Sequence, residues 1–180
     1  MMACDSLFPA SLISASVQAD LPHGYVVRPL QRSDYSRGHL EPLRDLTYIG
    51  EISEQQWIER FDWMASCQGT YYVVVIVDTT KESRGSIVAT GTLVAEKKFL
   101  YKLGIQGHIE DVAVVKYEQG KKLGRCLLAA LTDVARNIGC YKSILDCGPR
   151  NKGFYEKCGY SQAGQEMECY FDEEAKERRV

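Results

Sequence analysis

Three acids and one tyrosine carry the most specific chemistry in this chain. Glu110 and Asp111 are neighbours in the apolar run "GHIEDVAVV", and Asp146 lies near the end of another, "SILDC". A carboxylate in such a context is expensive unless it is paired or used. A strand-end turn acid is the plainer reading of Asp146. Used, a carboxylate can accept the hydrogen bonds of a nucleophile and align it. Side chains alternate along a strand, so Glu110 and Asp111 are not expected to face one site together. At least one of them would act through its backbone or support the structure. Tyr155, in "GFYEKCGY", is a candidate proton donor, and Tyr160 reads as core.

A second concentration of chemistry lies between these acids and the tyrosine. The stretch "EDVAVVKYEQGKKLGRCLLAAL" begins as a strand, passes through a basic, glycine-punctuated turn and ends as a helix. From Leu123, apolar residues fall at Leu127, Leu131, Val134, Ala135 and Ile138, one helical face, with Gly139 as the stop. The turn therefore opens a helix, where unpaired N–H groups and the positive dipole end favour a phosphate. Gly120 and Gly124 allow close backbone approach, and Lys121, Lys122 and Arg125 add charge. A solvated basic turn capping a helix is the bland alternative. Neither G-x-x-x-x-G-K-[ST] nor G-x-G-x-x-G occurs, which excludes a P-loop and a dinucleotide fingerprint.

These groups need a frame. "YVVRPL" reads as a first strand. In "RSDYSRGHLEPLRDLTYIG", Ser33 or Asp34 is a candidate N-cap, Gly50 a stop, and Pro42 the break between two helices, leaving Asp45 to Ile49 near a loop. "SEQQWIERFDWMASC" opens with a capping box, Ser53 and Gln56, and repeats Trp57, Ile58, Phe61, Met64 and Ala65 at helical spacing. "TYYVVVIVD" is a buried strand and "KESRG" a turn. "SIVATGTLVAEKKFL", "GHIEDVAVV" and, after the helix, "KSILDC" are further strands. "GPRNKGFYEKCGY" holds a helical turn ending at Gly159, and "QEMECYF" reads as a last strand. The class is α+β, a mixed sheet with segregated helices.

Composition bounds the rest. With 180 residues, 45% of them hydrophobic and 26% charged, one domain is expected over residues 24–172, between a loose extension at 1–23 and a charged tail at 173–180. A net charge of -2 disfavours a nucleic-acid binder. No apolar run reaches the ~18–20 residues of a membrane span. Residues 1–23 fit neither a secretory signal nor a mitochondrial presequence. Seven cysteines without a C-x-x-C pair read as free thiols of a reducing compartment, the cytoplasm, and not as a zinc site. Cys126 and Cys147 look like small core residues, which argues against a catalytic Cys–His pair.

The turn resembles the pyrophosphate loop of the GNAT superfamily of acetyl-CoA-dependent N-acetyltransferases, (Gln/Arg)-x-x-Gly-x-(Gly/Ala). Here it reads Gln119, Gly120, Lys121, Lys122, Leu123, Gly124, with Lys122 where the family has Gly. "GHIEDVAV", "GCYKSILDC" and "NKGFYEKCGY" are similar, in order and spacing, to segments of the eukaryotic glucosamine 6-phosphate N-acetyltransferases. The resemblance spans about Gly24 to Met167.

The resemblance implies a GNAT fold, a central mixed, mostly antiparallel twisted sheet flanked by helices, and acetyl-CoA as cosubstrate without a metal. Gly120 to Arg125 would hold the pyrophosphate. Val112, Ala113 and Val114 would offer backbone hydrogen bonds to the pantetheine arm, and a main-chain N–H there would polarise the thioester oxygen. Asn151, Tyr155 and Lys157 would also meet the coenzyme, although a helix N-cap explains Asn151 equally well. Thr47, Lys98, Phe99, Leu100, Tyr101, Glu110, Asp111 and Asp146 would contact the sugar phosphate. Tyr141 and Lys142 would do so from the partner subunit of a homodimer whose active site lies at the interface and whose last strand is exchanged. Asp146 and Glu110 would align the amine for direct attack in a ternary complex. Tyr155 would hydrogen-bond or protonate the departing thiolate, a phenol of pKa near ~10 against about 8.5 for a thiol. The product would enter UDP-N-acetylglucosamine biosynthesis.

One departure stands out. The family places a basic residue shortly after the Glu-Met pair, whereas "EMECYFDEE" continues with Cys169, Tyr170, Phe171 and acids. Lys98 and Lys142 would then carry phosphate recognition. The rival readings are a GNAT enzyme for another amine (a peptide, a lysine or a polyamine) and a silent acetyl-CoA-binding module. A zinc deaminase, suggested by "HIE", fails for want of P-C-x-x-C.

Overall fold

Five strands form one sheet in the order β1–β2–β3–β4–β5, and the computed structural model describes residues 5–81 and 86–178 of the chain. The strands are β1 (Tyr25–Pro29), β2 (Tyr71–Asp78), β3 (Ser86–Lys97), β4 (Ile105–Val114) and β5 (Cys140–Ile144). The first four pair antiparallel, and β5 runs parallel to β4. The sheet is thus mixed and mostly antiparallel, as expected. β2 is buried almost end to end, the burial that its β-branched run demands.

Alternation along β2 divides the core. Val73, Val75 and Val77 pack with Trp57 and Phe61 of α3 (Glu54–Ser66) and with Leu40 of α2 (Leu40–Leu46). Val74 and Ile76 project to the opposite face. The long α5 (Leu123–Asn137) lies against β2, β3 and β4 and buries Leu127, Leu128, Leu131 and Val134. Gly91 on β3 permits this approach, since a Cβ there would come within 2.9 Å of Leu131 Cδ1. The Ser53–Gln56 capping box forms as the sequence indicates.

Four expectations change. The break in "RSDYSRGHLEPLRDL" falls at Gly38 (φ 77), between a 3-10 turn, Asp34–Arg37, and α2. Pro42 sits in the first turn of α2, where its missing N–H has no helical acceptor to lose. Residues 5–23 are not loose. They carry a 3-10 turn, Ala10–Leu12, and α1 (Ala15–Asp20), and Phe8, Val17 and Leu21 are buried. The side chain of Gln18 bonds both Tyr25 O and Val27 N of β1, so it stands in for a neighbouring strand. "QEMECYF" forms no strand: its residues are almost all exposed, without the half-buried face that a strand packs. The charged tail contains a short helix, α7 (Glu173–Glu177), capped by Asp172. The "KESRG" turn lies, after Lys81, outside the described residues.

The chain divides into two compact units, Met1–Leu145 and Asp146–Val180. The second holds a 3-10 turn, Pro149–Asn151, followed by α6 (Lys152–Lys157) and then α7.

Candidate functional site

β4 departs from regular strand geometry where its two acids stand. Thr90 pairs with Ala113 but Thr92 pairs with Glu110, so Asp111 and Val112 together oppose Gly91. This is a β-bulge, and Asp111 takes a left-handed conformation, φ 54. Strict alternation therefore fails at Glu110–Asp111, and both side chains reach solvent. On its other side, β4 pairs with β5 only from Ile105 to His108. No described strand pairs with that side of residues 109–114.

Beyond Val115 the chain passes through a 3-10 turn, Lys116–Glu118, into α5. Asp45, at the C-terminal end of α2, accepts from Lys116 N (2.8 Å), and that bond leads the causes holding its carboxyl below the usual range. Gln119 Nε2 donates to Val114 O (3.1 Å), tying the loop to the strand. Gly120 has φ 83 with open space where a Cβ would point. Lys122 is the N-cap of α5 at φ 66 and gives no side-chain cap. A left-handed lysine costs roughly 1 kcal/mol. The first N–H groups of α5 have no helical acceptor. Neither Lys122 nor Arg125 joins an ion pair among the described residues.

Lys121 differs. Its Nζ lies 2.7 Å from Glu118 Oε2 and 3.0 Å from the Tyr25 hydroxyl. Glu118, 2% exposed, also accepts from Tyr25 OH and from Lys81 Nζ, each at 2.5 Å. Burial opposes ionisation of Glu118. The bonds from Lys121, Lys81 and Tyr25 outweigh it and hold the carboxyl down to about 2. Lys121 in turn is raised well above the usual ammonium range, Glu118 being the largest cause. Neither Glu118 nor Tyr25 was singled out in the sequence. An acid among lysines looks like any solvated charge, and the partners are remote in the chain.

Asp111 also lines a cleft of about 350 Å³ between the sheet and α2 and α3, with Thr90, Thr92, His39, Trp57, Gln56 and Arg60. Surrounding protein raises its carboxyl above the ordinary value, although solvent still reaches it through the cleft. His39, the buried base of this cleft, is another residue that sequence reasoning passed over. Trp57 Nε1 donates to His39 Nδ1 (3.1 Å), so the ring proton sits on Nε2, facing Thr90 Oγ1 at 3.2 Å. Burial lowers its pKa to about 4, so the ring is neutral at pH 7.

The other expected sugar contacts in the first unit lie at the end of α2, along the β3–β4 connection and on β5. Thr47 caps the C-terminus of α2. Lys98 pairs with Glu96 at 2.7 Å, and Glu96 also meets His108 Nε2 at 2.9 Å. Phe99, Leu100 and Tyr101 are exposed, entering a one-turn segment, α4 (Leu100–Leu103), whose residues 101–103 all have positive φ. The Tyr101 ring packs tilted against Tyr141 at 4.3 Å, and Tyr141 OH donates to Gln106 Oε1. Lys142 Nζ lies 5.9 Å from the Tyr141 ring.

Four expected residues, Asp146, Asn151, Tyr155 and Lys157, belong to the second unit. Asp146 is exposed at its first position. Asn151 is the N-cap of α6 without a side-chain cap bond, so capping does not account for it. Lys157 ends α6, exposed. Tyr155 is half-buried, edge-on to Phe154 (5.1 Å) and Tyr160 (6.3 Å). Burial, then the neighbouring Cys147 and Cys158, raises its phenol above the usual value. The described residues contain no cluster of His, Cys, Asp and Glu suited to a metal.

Residues 36–160 match the model of the acetyltransferase (GNAT) family. The glucosamine 6-phosphate N-acetyltransferase of Candida albicans is 48% identical over 151 residues, 84% of this chain and 99% of that protein. The Arabidopsis thaliana enzyme of the same name is 41% identical over 82% of this chain and 97% of its own. The crystal structure of glucosamine-6-phosphate N-acetyltransferase from Arabidopsis thaliana superposes with a TM-score of 0.77 at 41% identity, covering 82% of this chain and 99% of that one.

Proposed function

The chain belongs to the GNAT acetyltransferase family and, within it, to the glucosamine 6-phosphate N-acetyltransferases, and on that premise we propose that it transfers the acetyl group of acetyl-CoA to the amine of glucosamine 6-phosphate. One observation carries the reading for this chain. β4 parts from β5 after His108 and runs on, through the 3-10 turn, to the left-handed loop that opens α5. An extended chain of amides can add to such an edge by backbone hydrogen bonds, and a diphosphate suits a helix N-terminus. The residues present therefore fit acetyl-CoA, with Val112, Ala113 and Val114 along the arm and Gly120 to Arg125 at the pyrophosphate. When bound, acetyl-CoA supplies an activated thioester carbonyl.

The chain's own groups then divide the work. Glu110 and Asp146 accept hydrogen bonds from the acceptor amine and align its lone pair. Asp111, with its raised pKa, accepts a sugar hydroxyl or a proton more readily than a surface carboxylate does. Tyr155 donates a hydrogen bond to the departing sulfur. Its phenol lies above ~10 and a thiol near ~8.5, so complete proton transfer would be uphill by more than about 2 kcal/mol. The proton that neutralises the thiolate therefore comes from the nitrogen, and Tyr155 steadies the sulfur until it arrives. Lys98 and Lys142 contact the phosphate.

The active assembly is a homodimer, supported by the exposed apolar side chains of Phe99, Leu100, Tyr101 and Leu103, with Tyr101 beside Tyr141. The product feeds UDP-N-acetylglucosamine formation. The compartment is the cytoplasm, consistent with free thiols at Cys67, Cys126, Cys140, Cys147, Cys158 and Cys169. Loss of thioester absorbance with glucosamine 6-phosphate or glucosamine as acceptor tests the function. Turnover with the phosphosugar alone is expected, and acetyl-CoA binding without turnover on either would refute it.

A further inference from the structure

We propose that Glu118 is a positioning residue for acetyl-CoA binding: it clamps the pyrophosphate loop from behind and withdraws Lys121 from direct contact with the ligand. The proposal rests on reading that loop as the acetyl-CoA site.

The clamp joins three separate segments. Tyr25 comes from β1, Lys81 follows β2, and Lys121 belongs to the loop itself. Lys81 is held again by Asp78 at 3.3 Å and lies 4.6 Å from the Tyr117 ring. A carboxylate is an acceptor only, with about four lone-pair sites, and three donors on one buried group leave little freedom. Charge-assisted bonds of this kind are short and strong. Lys121 is flanked by the two left-handed residues of the loop, Gly120 and Lys122. Pinning its side chain therefore fixes the backbone on both sides, where the N–H groups that meet a phosphate begin. The same bonds consume its charge. Of the three cations in the turn, Lys122 and Arg125 remain for the diphosphate, and Lys122 stands where the family pattern has glycine.

A double-mutant cycle separates a clamp from a direct phosphate contact. CoA affinity is measured calorimetrically, and acetyl-CoA KM and kcat kinetically, for the wild type, Glu118→Gln, Lys121→Met and the double variant, with Glu118→Asp as conservative rescue. Glu118→Gln is expected to weaken CoA and raise acetyl-CoA KM roughly tenfold, with kcat within about twofold. Lys121→Met is expected to weaken CoA comparably, the double variant no more than the worse single, and Glu118→Asp to recover part of the loss. Lys81→Met, expected to act in the same direction, replaces Glu118→Gln in the cycle if a thermal melt shows the latter unfolded. Additive losses, or a Glu118→Gln chain that binds CoA as well as or better than the wild type, would overturn the proposal. If the wild type itself does not bind CoA, the reading of the loop falls, and the proposal with it.

Discussion

His39 makes stability depend on pH in a calculable way. Its imidazole is enclosed by Trp57, which donates to Nδ1, and by Thr90, which faces Nε2, so protonation would set a second N–H against the indole donor. The folded pKa is about 4 against an ordinary 6.5. Below pH 6.5 the unfolded chain takes up a proton that the folded chain refuses, so stability falls as pH drops and the loss is complete near pH 4. At 1.36 kcal/mol per unit, the gap amounts to roughly 3 kcal/mol in full and about 2 kcal/mol by pH 5. That is a large share of a typical 5–15 kcal/mol. The assay is urea unfolding of the wild type and His39→Gln between pH 7 and 4.5, the difference removing the carboxylates common to both. The wild type should lose about 2 kcal/mol more than the variant by pH 5. Parallel curves would refute the reasoning, as would an imidazole resonance that titrates near 6.5 in the folded protein.

Two further substitutions probe the site. Tyr155→Phe should lower kcat roughly 10²-fold, the low end for a group that hydrogen-bonds without transferring its proton, with little change in acceptor KM; steady-state kinetics with unchanged kcat would remove the phenol from the mechanism. Lys122→Gly should relieve the left-handed strain, worth up to about 1 kcal/mol and a rise in Tm of about 2–4 °C. It should also weaken acetyl-CoA binding several-fold at low salt and flatten the salt dependence. A lower Tm would show that the lysine conformation is not strained.

What was legible in the sequence was what repeats. The helical face from Leu123 to Ile138, the β-branched run of β2 and the Ser53–Gln56 box each encode structure within a few residues, and each forms. The glycine-punctuated turn that opens α5 is likewise written locally, at Gly120 and Lys122. What escaped depends on partners distant in the chain. The bulge at Asp111 is set by the pairing of β3 with β4, and no local pattern signals a left-handed aspartate. Glu118 and His39 are ordinary residues until folding brings Tyr25, Lys81, Trp57 and Thr90 to them. The break at Gly38 was assigned to Pro42 because proline is the louder signal, yet proline in a first turn breaks nothing. "QEMECYF" alternates like a strand but buries no face.

The docking of residues 5–23 bears on how the protein is made. Asn137 Nδ2 donates to Leu12 O, Ser14 N donates to Asp133 Oδ2, and Cys126 Sγ contacts Asp20 O. All three partners lie on α5, more than a hundred residues downstream. At ~5–20 residues per second, a ribosome needs roughly 5–25 s to reach α5 after completing α1. For that interval Leu12, Ser14 and Asp20 have been made before the helix that bonds them exists. The segment thus settles on α5 well after its own synthesis, and its apolar side chains must be kept from other nascent chains until then.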